Sequence, residues 1–271
     1  MMKIYVPLLL GLLCIGSMTP AWADVSSAAL LKAADTTASG EYTRQHFLAV
    51  QKKPFDAADS RKKVLIIGDS HAQDFFNGVL ENGYLSTYQL STRYIPTRCQ
   101  MVWGDKGAAF IQSKDTALCA ESDSVTQAAA QIAEADVVIM VARWQAWAAT
   151  LLPETLQQMK LRADQQLIVI GAKDFGKIAI RNYLKLSGDE RLALRNKVDP
   201  KPLASNQVLR ETLGDNVFVD QQRLICGEGD SCRLFTDTGE LLSYDGGHLT
   251  PAGAKYVGKL LFSESLLQGL Q

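Results

Sequence analysis

Histidine is scarce in this chain: three residues in 271, His46, His71 and His248. Any chemistry that needs an imidazole base must draw on one of them. Cysteine is nearly as sparse, five in all, and no two stand in a Cys-x-x-Cys pair or beside a histidine. That excludes the usual structural zinc pattern, and no cofactor is expected. Positive charge is not in excess, with 28 Lys and Arg against 29 Asp and Glu and a formal net charge of −1. Such a balance argues against a nucleic-acid partner or an anionic membrane surface. After the first residues, no apolar run approaches the length that crosses a bilayer. Internal repeats are lacking, and so is any sign of a second domain.

What is present begins with an expected export signal over residues 1–23. Lys3 supplies the positive end, Ile4 to Ile15 the apolar stretch, and Ala21-Trp22-Ala23 the small-x-small cleavage site. Cleavage after Ala23 is favoured over lipidation at Cys14, because Leu13 stands where a lipoprotein signal carries a small residue. The mature chain is then expected to be periplasmic or secreted, without a membrane span. Cys99, Cys119, Cys226 and Cys232 fit that compartment as an even set that an oxidising environment would pair. Three connectivities are open. Proximity in sequence favours Cys99–Cys119 with Cys226–Cys232.

Short aliphatic runs alternate with helical stretches along the rest of the chain. Strands are expected at Val64 to Gly68, Thr87 to Ile95, Val137 to Ala142, Leu167 to Gly171 and Val217 to Asp220. Helices are expected at Ala72 to Glu81, Asp123 to Glu134, Pro153 to Asp164, Ala204 to Leu213 and Pro251 to Leu267. Strands buried on both faces and separated by helices predict an α/β fold with a mostly parallel central sheet between two helical layers. Sites in such folds form at the carboxyl ends of strands. The polar, Ala-rich residues 24–61 are expected as helix and linker on the surface, ahead of one domain over 62–271. Lys173 to Leu203, punctuated by Asp199-Pro200-Lys201-Pro202, is expected as a helical excursion over one edge of the sheet.

The chemistry centres on Ser70, which ends the apolar run "VLIIGDSHA" at a sharp strand-to-helix turn. A serine hydroxyl is a weak nucleophile and needs a base. His46 lies in the polar N-terminal stretch and reads as a solvated residue. His71 adjoins Ser70, and adjacent side chains at a helix start point in different directions. His248 is different: it lies in "SYDGGHLTPAGA" with Asp245 three residues before it, so that the carboxylate can reach the near ring nitrogen and leave the far one for a serine. Gly246 and Gly247 let the backbone make that turn. Each half has a plain structural reading, since Asp69, Ser70 and Thr250 are all good helix caps. Together on one α/β chain they point to Ser70, His248 and Asp245 as a triad, with Asp69 and His71 in support.

Those two blocks resemble the first and last motifs of SGNH/GDSL hydrolases. The Gly-Asp-Ser-His-Ala form most resembles the exported SGNH domains found with membrane acyltransferases that O-acetylate cell-surface polysaccharides. The resemblance covers roughly Lys62 to Leu267. It implies a flavodoxin-like three-layer fold, Ser70 as nucleophile, His248 as base and Asp245 as the acid that orients it. It also implies esterase or acyl-transfer chemistry on the O-acyl groups of an acylated carbohydrate or polysaccharide, with a membrane acyltransferase as partner supplying the acyl group. The Cys99 and Cys119 loop also looks like that exported subgroup.

One departure stands out. Typical members place an Asn of the oxyanion hole in a Gly-x-Asn-Asp block after the third strand, where this chain has "VVIMVARWQAW". Arg143 and Trp144 stand there instead, as they often do in the acyltransferase-linked domains. The Ser70 backbone amide at a helix N-terminus remains a donor for an oxyanion. Arg143 would add charge or bind the glycan, with Trp144 beside it; the opposing reading has Arg143 paired with a surface acid and Trp144 packed under the sheet edge. Asn77 is a weaker substitute for the missing Asn, and Gly104 is the candidate match for the family's second-block Gly. Two functions are therefore carried forward: an exported serine esterase or O-acyltransferase, and a non-catalytic carbohydrate-binding or assembly module on the same scaffold.

Overall fold

The structure is a computed structural model and describes residues 25–271. The expected signal, its cleavage point after Ala23, and Cys14 lie outside the described residues. The strands are β1 (Lys63–Gly68), β2 (Gln89–Tyr94), β3 (Val137–Val141), β4 (Gln166–Ile170), β5 (Arg195–Lys197), β6 (Phe218–Val219) and β7 (Ser231–Arg233). Five of them form one parallel sheet in the order β2-β1-β3-β4-β6. The chain starts in the middle of the sheet, moves outward to β2, then crosses back over β1 to build the other half. This is the flavodoxin-like order, whose reversal between β1 and β3 opens a crevice at their carboxyl ends. Register brings those ends level, Gly68 facing Tyr94 on one side and Val141 on the other.

The helices are α1 (Ser27–Ala33), α2 (Thr36–Ala49), α3 (Ser70–Asn82), α4 (Thr116–Glu121), α5 (Ala129–Glu134), α6 (Ala146–Met159), α7 (Ile180–Tyr183), α8 (Gly188–Ala193), α9 (Pro200–Leu213), α10 (Gln221–Cys226), α11 (Pro251–Leu261) and α12 (Ser265–Gln268). Alternation along β1 shows how they layer. Val64 and Ile66 pack with Phe75, Phe76 and Val79 of α3 and with Val257 and Leu261 of α11. Leu65 and Ile67 face the other way, among Ile132 of α5, Leu152 of α6 and Leu209 of α9. Both faces of the sheet are thus covered, as an all-parallel sheet requires. The expected three-layer α/β/α fold is what the chain adopts.

Several elements depart from expectation. The helix expected from Pro153 begins at Ala146 and carries Pro153 inside it. Ala148, Ala149, Leu152, Thr155 and Met159 form one buried stripe, and their burial outweighs the hydrogen bond that Pro153 cannot make. The stretch from Asp123 is regular helix only at α5, because the Asp123 carboxylate pairs with Arg93 (3.1 Å) instead of leading a helix. The last helix breaks after Leu261, where Ser263 turns its hydroxyl back to the Leu260 carbonyl (2.6 Å). The 173–203 segment is less helical than expected, since β5 pairs antiparallel with β7 in a small second sheet. Its Asp-Pro-Lys-Pro run starts α9: Asp199 caps the Lys201 amide and Pro200 occupies the first turn. The N-terminal segment is helical but not only superficial. Leu30 and Phe47 enter the core, and Phe47 meets Phe76 edge to face at 6.0 Å.

Candidate active site

At the end of β1 the chain must leave the sheet while touching β3. A Cβ on Gly68 would stand 1.7 Å from the Val141 carbonyl oxygen, so no other residue fits. Asp69 follows as the cap of α3, and Ser70 is the first helical residue. Asp69 does more than cap. Its carboxylate, 1% exposed, accepts from the His71 amide (2.8 Å), the Thr97 hydroxyl (2.7 Å) and the Arg143 amide (3.0 Å). One side chain thereby ties together the turns that follow β1, β2 and β3, around Ser70. Burial pushes its carboxyl upward, and the three donated hydrogen bonds hold that rise back.

The second half comes from the far end of the chain. The Asp245 carboxylate accepts the amides of Gly247 (2.9 Å) and His248 (2.8 Å) through one oxygen. Its other oxygen meets His248 Nδ1 at 2.7 Å, and His248 Nε2 lies 2.7 Å from the Ser70 hydroxyl. The turn that permits this requires glycine at Gly246, which has φ +97° and whose Cβ would stand 2.1 Å from the Gly176 carbonyl oxygen. Burial disfavours charge on His248, but the Asp245 hydrogen bond and the nearby Asp74 outweigh it, and its pKa is raised. Burial likewise opposes the Asp245 charge, yet the contacts with His248 bring its pKa down to about 2. In this geometry the imidazole can take the Ser70 proton while Asp245 holds the ring and steadies the imidazolium.

The other histidines stand aside. His46 is exposed, with Nε2 2.9 Å from the Gln45 side-chain amide. The His71 ring is buried, lies edge-on to His248 at 6.2 Å, and has an Nδ1 without a partner. Burial, then Lys173 and His248, hold its pKa well below the ordinary value, so it stays neutral. Tyr244 stacks on His248 at 5.8 Å and reaches Thr43 of α2 through its hydroxyl (3.3 Å).

Arg143 and Trp144 part company. Arg143 stands at the carboxyl end of β3, 41% exposed, pairing with Asp199 (3.5 Å) and Asp174 (3.7 Å). Its Nη1 lies 3.8 Å from where a Cβ on Gly247 would be, so the guanidinium adjoins the His248 turn. Trp144, expected beside it on a substrate surface, is instead 2% exposed. It packs in the core, and its indole N–H is taken by the Ile170 carbonyl (2.9 Å). Asn77 is also buried and donates to the Tyr42 and Thr43 carbonyls (both 3.1 Å), which spends its amide on joining α3 to α2 and not on an oxyanion. Gly104 lies in the loop beyond β2, where its amide donates to the Thr126 hydroxyl (2.9 Å).

Two charged residues escaped the sequence reading. Asp74, one turn along α3 from Ser70, and Lys173, just past β4, form an ion pair of 2.6 Å with both side chains 1% exposed. Lys173 also donates to the Gly247 carbonyl (2.9 Å), and Asp74 accepts from the Leu249 amide (3.2 Å). The available signal was a charge one helical turn from Ser70, on the side of α3 that also carries His71 and Asn77.

The favoured cysteine pairing is the one found: Cys99 with Cys119, and Cys226 with Cys232. The first tie holds the long excursion after β2, which carries Phe110. Phe110 is 51% exposed and stacks on Trp147 of α6 at 4.9 Å. Trp147 is wired back to the site, its N–H donating to Gln145, and Gln145 donating to the Thr97 carbonyl. Among the described residues no helix is long and apolar enough to cross a membrane.

Comparison with known proteins bears on this arrangement. The family model described as "SGNH domain (fused to AT3 domains)" matches residues 36–262. No curated protein matches the chain.

Proposed function

The chain belongs to the SGNH family, a family of hydrolases and esterases whose matching domains are found fused to AT3 domains, and from that premise we propose that it is an exported serine esterase or O-acyltransferase. Its substrate is an O-acyl group, in the first place O-acetyl, on a cell-envelope carbohydrate. One observation carries the reading: the continuous chain Asp245, His248, Ser70, with 2.7 Å at each side-chain contact. The Ser70 oxygen attacks the acyl carbonyl while its proton passes to His248 Nε2. Collapse of the tetrahedral species breaks the ester, the imidazolium returns its proton to the leaving sugar oxygen, and an acyl-Ser70 remains. Water, or a second sugar hydroxyl, then attacks with His248 again as base. The Ser70 amide, at the N-terminus of a helix of 13 residues, is the first oxyanion donor.

A carbohydrate substrate is supported by the exposed ring of Phe110, which offers a flat apolar face to a pyranose. Beside it runs an open groove of about 510 Å³ bordered by Asp105, Ser122 and Thr126, groups suited to hydroxyls. Export is supported by the two disulfides. An AT3-type membrane acyltransferase is the fitting acyl source. Within this reading residues 62–271 carry the chemistry, while 25–61 brace α3 and Tyr244.

The test is a fluorophosphonate probe with Ser70→Ala as control. The wild-type chain should label at Ser70 and hydrolyse small acetyl esters; Ser70→Ala should lose on the order of 10⁴-fold or more in turnover while remaining folded. A second reading, a non-catalytic carbohydrate-binding module, has one observation in its favour: Arg143 replaces the family's Asn and is held by Asp174 and Asp199. Failure of the wild-type chain to label would decide for it.

A further inference from the structure

A buried ion pair rarely explains itself by stability. Removing two charges from water costs about as much as their attraction returns, and apolar pairs of similar volume do as well or better. Asp74 and Lys173 therefore call for another reason, and their remaining contacts supply one. Ser70 and Asp74 are four residues apart on α3, so they face the same turn. Ser70 meets the His248 ring, and one helical turn further Asp74 accepts the amide of the next residue, Leu249. From the opposite side Lys173 donates to the carbonyl of the preceding residue, Gly247. His248 is thus gripped at both flanking residues by the two halves of one ion pair.

The grip is anchored on both sides. Lys173 follows Ala172, whose amide and carbonyl are both taken by the Asn206 side chain (2.7 and 2.9 Å). Two residues on, the Phe175 amide donates to the Gly246 carbonyl (2.8 Å). Asp74 sits on a helix packed against α11 and α2.

We propose that the Asp74–Lys173 pair is a positioning device for His248: it holds the backbone on either side of the imidazole and sets the charge balance beneath the ring, without touching substrate. The proposal rests on the esterase reading for its purpose and for the labelling arm of its test, while the NMR arm stands without it. The groups facing His248 are Asp245 and Tyr244 on its own turn, Ser70, His71 and Asp74 on α3, Lys173 beyond β4, and Arg143 beyond β3. Of these, Asp74 favours the imidazolium and Lys173 opposes it, with Asp74 the stronger.

Because the chain has three histidines, the imidazole of His248 can be followed directly by NMR titration. In Asp74→Asn the amide oxygen still accepts from Leu249, but the anion is gone. The His248 midpoint should fall, and fall further if Lys173 keeps its proton than if it loses it, because Lys173 opposes the imidazolium. In Lys173→Met the Gly247 carbonyl loses its donor, and fluorophosphonate labelling of Ser70 should slow by about 10²-fold. Either single variant leaves one buried charge alone and can fail to fold. The double variant Asp74→Asn/Lys173→Met leaves none, and should fold with both the lowered midpoint and the slowed labelling. A folded double variant with a wild-type midpoint and wild-type labelling overturns the proposal, and so does one altered only in thermal stability. A wild-type chain that never labels, with a His248 midpoint that still falls in Asp74→Asn, sinks the esterase reading and leaves the positioning device standing.

Discussion

Asp69→Asn is the most informative single change at the core of the site, because it keeps the volume and alters only what the side chain can accept. The native carboxylate takes the His71 amide on one oxygen, and the Thr97 hydroxyl with the Arg143 amide on the other. An asparagine has one acceptor oxygen and one NH2. If its oxygen faces Thr97 and Arg143, the NH2 points at the His71 amide, donor against donor. If it is flipped, Thr97 can rotate to accept, but the Arg143 amide is left facing an NH2. Either way one backbone N–H inside the protein loses its partner. An orphaned buried donor costs about 1–3 kcal/mol, and a hydrogen bond to a charged group is worth about 1.5–3 kcal/mol. Some of that returns, because a neutral amide is easier to bury than a carboxylate. The net expectation is a loss of about 2–4 kcal/mol in denaturant unfolding. Both orientations also disturb a turn that aims the Ser70 hydroxyl or lines its approach, so turnover of a small acetyl ester should fall by about 10²-fold. A variant within about 0.5 kcal/mol of wild type, with unchanged turnover, would show that Asp69 is a simple helix cap and refute its role as the tie between three turns.

The acid side of the rate profile should report His248, whose neutral form must accept the Ser70 proton. Since its pKa is raised in the folded chain, kcat/KM should rise with a midpoint above the ordinary histidine value of about 6.5; a flat profile through that range, with chemistry limiting, counts against the assignment. Arg143→Ala should separate activity from stability. Its ion pairs are partly exposed and worth at most about 1 kcal/mol, whereas loss of an oxyanion or sugar contact should cost about 10²–10³ in turnover. Arg143→Lys should restore activity only in part, and a variant with lower thermal stability but intact activity would make Arg143 structural. Phe110→Ala should raise KM for an acetylated sugar and leave small-ester turnover alone; equal effects on both substrates would remove Phe110 from the sugar-binding surface.

The central framework was legible because it depends on local pattern. Aliphatic runs such as Val64 to Ile67 can be satisfied only by burial on both faces, and helical stretches between them leave a parallel sheet as the solution. Ser70, Asp245 and His248 were legible for the same reason: a nucleophile at a strand-to-helix turn and an Asp-x-x-His on a glycine turn are each complete within a few residues. Trp144 stayed open between two readings because an aromatic side chain looks alike in sequence whether it lines a groove or packs inward, as it does here. Helix limits at Pro153 and Leu261 were set by which side chains the core accepted, something a proline or serine signal does not carry.

By itself the sequence determined the α/β architecture, singled out Ser70, Asp245 and His248 as candidates, and favoured the cysteine pairs, all of which follow from nearest-neighbour chemistry and hydrophobic period. Tertiary structure alone decided the rest of the site: that Asp69 binds three separate turns, that Arg143 adjoins Gly247 while Trp144 does not, and that Asp74 finds Lys173 99 residues away. A buried charge announces that a partner must exist. Which residue it is depends on the order in which the strands are laid down, because that order brings the end of β4 over α3.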